Sequence, residues 1–148
     1  MDDGQITAGY SGTPLLKKLG FKPSQSLLLV DNPVGYLSWL GGLPAGTILL
    51  DENAEVVEAA HLFVTERVVL AMHLSNLRKR LTQDGFVWVS WPKKSAKVAT
   101  DMDEDAIREI ALPLGYVDIK VCAVSEIWSG LKLVIRRSER TGRPSPGG

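Results

Sequence analysis

Short apolar runs alternate with amphipathic stretches along most of the chain. Residues 27–30 (Leu-Leu-Leu-Val), 47–50 (Thr-Ile-Leu-Leu) and 61–64 (His-Leu-Phe-Val) show no period-two polarity, the pattern of strands covered on both faces, as in parallel sheets. Residues 86–91 (Phe-Val-Trp-Val-Ser-Trp) form a further apolar, aromatic run that ends abruptly in Pro92-Lys93-Lys94. That is how a buried central strand delivers its loop to a ligand face. Between these runs lie helical signals. Thr13 as cap, Pro14 at the first helical position and Gly20 past the end bracket a helix at 15–19. Residues 34–40 predict a short helix broken by Gly41-Gly42-Leu43-Pro44, and residues 53–60 fit either a short helix or an extended run. Thr65 is placed to cap a helix reaching about Leu81, with Leu70, Leu74, Leu77 and Leu81 on one stripe. Asp101 followed by Glu104 reads as the capping pattern of another helix, with Ile107, Ile110, Ala111 and Leu114 on its buried face and Gly115 at its end. Residues 117–124 and 131–136 alternate apolar and polar side chains about a turn at 125–130, which marks antiparallel strands.

Strand and helix in alternation, then a terminal strand pair, predict an α/β fold: a three-layer Rossmann-like sheet, parallel in its centre with an antiparallel C-terminal strand pair. The expected organisation is a flexible N-terminus over 1–9, one α/β domain over 10–137 and a disordered Pro/Gly tail over 138–148. Sheets of this kind bind ligands beyond the carboxyl ends of their strands. Those ends bring Asp31-Asn32-Pro33, Asp51-Glu52, Thr65-Glu66 and Trp91-Pro92-Lys93-Lys94 to one rim.

Composition narrows the chemistry. Basic and acidic residues both number 17, so no global field favours nucleic acid or an anionic membrane, and an anion site must be local. The single cysteine, Cys122, excludes an internal disulfide and a zinc-cysteine cluster and agrees with a reducing cytoplasmic setting. No leader pattern opens the chain, and no apolar run reaches the ~18 residues of a membrane span. No serine lies in a Gly-x-Ser-x-Gly setting, and His61 and His73 lie on separate elements, so neither a serine hydrolase nor a metal pair is predicted. The sequence thus offers no catalytic group. Lys93, Lys94 and Lys97 beside Trp91, with Trp128 in the following turn, form the candidate anion or ligand rim.

Two resemblances add to this reading. The order of elements, with Lys22-Pro23 before the first strand, residues 81–89 reading as leucine, short turn, glycine and apolar strand, and a strand pair after Leu114-Gly115-Tyr116, resembles S-adenosylmethionine-dependent methyltransferases. That resemblance implies a cofactor loop after the first strand, here Asp31, Asn32 and Gly35, and an acidic residue for ribose hydroxyls at the second strand's end, here Asp51 or Glu52. The loop holds one glycine where that family has two or three, and Pro33 removes a backbone donor. Residues 8–15, 91–94, 99–101, 117–124 and 128–132 also resemble DUF3052, a bacterial family of domains of unknown function frequent in actinobacteria.

The expectation is a small cytoplasmic binding or interaction module, not an enzyme by itself, with a site for a small anionic ligand or nucleotide. The alternative is a divergent methyltransferase-like protein that still binds S-adenosylmethionine. A protein partner is also left open, as is a homodimer through residues 131–135 and Trp39-Leu40.

Overall fold

The computed structural model describes residues 14–140. Five residues after Pro14 form α1 (Leu15–Leu19), which Gly20 closes in the left-handed conformation. Thr13, the expected cap, lies outside the described residues. The chain continues through β1 (Ser26–Val30), α2 (Tyr36–Leu40), β2 (Ile48–Leu49), β3 (Val57–Phe63), α3 (Arg67–Arg78), β4 (Leu81–Pro92), α4 (Glu104–Ala111), β5 (Tyr116–Ala123) and β6 (Trp128–Ile135), with 3-10 turns at Lys94–Ala96, Leu112–Leu114 and Arg137–Glu139. The ambiguous residues 53–60 therefore supply a loop and the start of β3. His61 lies inside that strand and does not begin it.

The six strands form one sheet in the order β2-β1-β3-β4-β6-β5. β1 to β4 run parallel, and β6 is antiparallel to both its neighbours. α1 and α2 cover one face, and α3 and α4 the other, so the layers and the mixed sheet are those predicted. Alternation along β4 divides its apolar run between the faces. Val87, Val89 and Trp91 pack with α3 and α4, while Phe86 and Trp88 pack with α1 and α2. Tyr116 is buried on the first of these faces, and its hydroxyl donates to the Leu74 carbonyl at 2.8 Å.

Four expectations need correction. β6 is interior and β5 is the edge, so residues 131–135 present no free edge for a homodimer. Leu131, Leu133 and Ile135 are fully buried, and Leu40 is buried as well. The strand alternation also breaks in β5, where the register shifts between Asp118 and Lys120 and Ile119 and Val121 turn to solvent. At the C-terminal end, Ser138 to Arg140 are ordered, because Glu139 pairs with Arg78 and Arg136, and Arg140 donates to the Ile135 carbonyl.

The fourth correction concerns helix starts. Neither Thr65 nor Glu66 caps α3 through its side chain. Instead the Asp101 carboxylate accepts the Arg67 backbone N–H at 2.7 Å, while Asp103 caps α4 by accepting from Ala106 N–H at 2.7 Å. A residue 34 positions downstream thus satisfies one of α3's orphan donors, and Thr100 Oγ1 and Asp101 N–H both donate to the Thr65 carbonyl. The loop after β4 is clamped to the start of α3. Asp101→Ala is expected to lower stability by about 1 kcal/mol in urea unfolding, with most of the loss recovered by Asn. An unchanged midpoint would show that this remote cap contributes nothing.

Candidate functional site at the carboxyl ends of the strands

Strand order reverses between β1 and β3: the chain moves outward from β1 to β2, then crosses back to β3. A crevice forms beyond the carboxyl ends at such a point. The β2 to β3 connection carries no helix, so among the described residues it is the flank of α3 that faces the groove side of β1 and β2. A groove of about 670 Å³ results, with Asp31, Asp51 and Glu52 on one wall and Met72, His73 and Asn76 of α3 on the other. Its volume suits a nucleoside-sized ligand. Arg80 closes one end by donating to the Ala54 and Glu52 carbonyls at 2.7 and 2.8 Å and to Asn76 Oδ1 at 3.3 Å. This tie fixes the acidic loop against α3.

The carboxylates differ in commitment. Asp51 accepts the Asn53 N–H at 2.8 Å and so shapes its own turn. Glu52 is exposed, and its carboxylate makes no hydrogen bond or ion pair among the described residues. Asp31 is exposed with a left-handed φ of 57°. Asn32 follows it on the surface, and Val34 is fully exposed. Gly35 has a local reason to be glycine, since a Cβ there would lie 2.9 Å from Trp39 Nε1. It makes room for an indole and does not bring backbone to the crevice. The loop therefore sets an acidic residue at the groove and lacks the glycine-lined close approach.

The lysine rim is a separate place. A second groove, of about 600 Å³, lies beside Trp91, Lys93 and Lys94, and Asp101, Asp103 and Glu104 share its lining. These carboxylates are engaged with Arg67 N–H, Ala106 N–H and Arg108 respectively. Lys97 sits past the 3-10 turn with φ 56° and is not on that lining. Trp91 is a core residue on the α3/α4 face. Trp128, aligned with Pro92 across the ladder, packs edge-on against Phe63 on the opposite face, with centroids 5.1 Å apart. The two indoles are split by the sheet and cannot clasp one ring.

Beneath the rim the structure assembles a group that the residue pattern gave no reason to connect. His61 is fully buried between Tyr36 Oη, 2.8 Å from Nδ1, and Ser90 Oγ, 2.8 Å from Nε2. It stacks on Phe63 with centroids 4.3 Å apart. Burial lowers the His61 pKa to about 3 and raises that of Tyr36. Both are neutral, and the chain of hydroxyl, imidazole and hydroxyl satisfies every polar atom in it. Its geometry pins α2, and with α2 the loop 31–35, to β3 and β4. His73, Asn76 and Arg80 were likewise missed as groove residues. Their helical spacing of three and four was a signal, but only the sheet order shows which wall they face.

No cluster of metal-binding side chains is present among the described residues, and no helix there is long and apolar enough to cross a membrane. No family model matches the chain, so the resemblance to DUF3052 gains no support, and no curated protein matches it. Among solved structures the chain is similar to a SAM-dependent methyltransferase from Aquifex aeolicus, with TM-score 0.59 and 15% identity over 82% of this chain and 87% of that one. It is similar to the PH0226 protein from Pyrococcus horikoshii at TM-score 0.59 and 11% identity, over 83% and 87% of the two chains. A putative type 11 methyltransferase from Sulfolobus solfataricus aligns at TM-score 0.55 and 15% identity, over 81% and 90%. What these proteins share with the chain is the fold: a Rossmann-like sheet of the methyltransferase kind.

Proposed function

We propose that the protein is a divergent methyltransferase-like protein that binds an adenosine-containing cofactor of the S-adenosylmethionine class at the crevice between β1, β2 and α3. The observation that carries this reading is the groove of about 670 Å³ at the strand-order reversal, bordered by a Glu52 carboxylate without a partner among the described residues. A pair of ribose hydroxyls is the kind of donor such a carboxylate accepts. Asp51 holds the turn that presents Glu52, and Asp31 borders the same groove, with Asn32 next to it in the chain. His73 and Asn76 on the facing wall offer hydrogen-bonding groups for a base edge. The structural likeness to methyltransferases supports this reading at the level of fold.

The departure from that fold's usual loop shapes the reading. Pro33 and an indole-packed Gly35 leave the ribose end better furnished than the methionine end, so the proposal is one of cofactor binding. Isothermal titration with S-adenosylmethionine and S-adenosylhomocysteine tests it. Wild-type protein is expected to bind at least one of them, and Glu52→Gln to weaken binding about tenfold, the loss expected for charge-assisted hydrogen bonds, without changing Tm. Equal affinities for wild type and variant, or no heat with either ligand at millimolar concentration, would reject the proposal.

A further inference from the structure

At the opposite end of the sheet, the amino ends of β1, β3 and β4 and the late part of β6 enclose a second cavity, of about 330 Å³, beside Lys22, Phe86 and Lys132. Lys132 is half-buried, with Nζ 4.3 Å above the Phe86 ring centroid. Lys120 is its direct partner across the β5–β6 ladder. Like charges placed opposite one another on an antiparallel pair repel. Lys120 Nζ finds only a carbonyl, that of Lys18 at 3.2 Å. None of Lys22, Lys120 and Lys132 has a carboxylate partner among the described residues. Two carboxylates line the cavity without relieving this. Glu58 accepts the Ser26 N–H at 2.8 Å, and Asp84 is exposed and paired with none of the three lysines. The burial of Lys132, with Lys120 and Lys22 nearby, lowers its pKa, as expected of an ammonium kept from water without a counter-charge.

Lys22 and Lys132 on the cavity lining and Lys120 across the ladder from Lys132, none with a carboxylate partner among the described residues, form an arrangement that a dianion would stabilise and that folding alone does not require. We propose that the Lys22, Lys120 and Lys132 cluster is an anion site for a phosphate group, free or as a monoester, separate from the crevice at the carboxyl ends. Phosphate offers the charge and several acceptor oxygens that neighbouring ammonium groups can share. The aromatic ring under Lys132 positions its ammonium at the cavity wall.

Titration with inorganic phosphate at constant ionic strength, followed by Tm and by calorimetry, tests the assignment, and glycerol phosphate in a parallel arm separates a free ion from a monoester. Wild-type protein is expected to show a saturable rise in Tm with either probe. Lys132→Gln should weaken binding about tenfold or more, the scale of a lost charge-assisted contact. The same variant should match or exceed wild-type Tm without phosphate, because it removes a like-charge pair. Lys120→Gln gives a second, solvent-side test, and Lys94→Gln on the opposite rim should leave phosphate binding unchanged. A non-saturable response shared by wild type and Lys132→Gln, meaning general salt stabilisation, would overturn the proposal. So would a response lost in Lys94→Gln and retained in Lys132→Gln.

Discussion

Trp88→Ala should be the most damaging single substitution in the described chain, at about 3–5 kcal/mol, the usual range for emptying a fully buried aromatic site. Trp88 has no solvent exposure and sits mid-strand in β4 on the α1/α2 face. Its Nε1–H donates to the Leu19 carbonyl at 2.8 Å, at the end of α1. Truncation therefore opens a cavity and leaves a helix-end carbonyl without its donor. Gly130 marks how closely the indole is packed, since a Cβ there would lie 3.2 Å from Trp88 Cε3. Trp88→Phe keeps most of the volume and should recover more than half of the loss. Urea unfolding measures both variants, and a loss near 1 kcal/mol for Trp88→Ala would mean that the α1/α2 layer contributes little to the fold.

The second large effect is acid sensitivity centred on His61. In the folded chain its pKa lies at about 3, against about 6.5 when unfolded. The unfolded chain therefore takes up a proton first as pH falls. Stability from this group is fully present above about pH 6.5 and is lost as pH drops toward 3, with a slope approaching 1.4 kcal/mol per pH unit. His61→Gln removes the titrating group. It is expected to be less stable than wild type at pH 7, because the replacement cannot reproduce both bonds to Tyr36 and Ser90, yet to lose less on acidification. Parallel slopes for the two proteins between pH 6 and 4 would show that His61 does not titrate in this way.

Much of the fold was legible because its elements are short and locally signalled. The Leu27 to Val30 run, the Leu15–Leu19 helix and the Leu70, Leu74 and Leu77 stripe all lie where local signals placed them. Leu81 shows the limit. It continues the same stripe but belongs to β4, because the Arg80 carbonyl accepts from Val57 N–H and begins the parallel ladder. Asp101 and Asp103 show another: two acidic residues in one run cap two different helices, and only tertiary contact decides which does which.

The candidate site was legible by rim but not by face. Asp31, Asp51 and Glu52 do meet at one groove, because strand direction alone carries them there. Trp91 and Trp128 part company because the antiparallel register sets Trp128 opposite Pro92, one residue out of phase with Trp91. No sequence period reports that register. The groove's second wall follows from the missing helix between β2 and β3, a property of the strand order.

The central claim is that the β1–β2–α3 crevice holds an adenosine-containing cofactor. Amide NMR mapping with S-adenosylhomocysteine tests it most directly. The account predicts saturable shifts clustered at residues 31–35, 50–54 and 72–80. Shifts confined to residues 91–97, or none at saturating ligand, would contradict it.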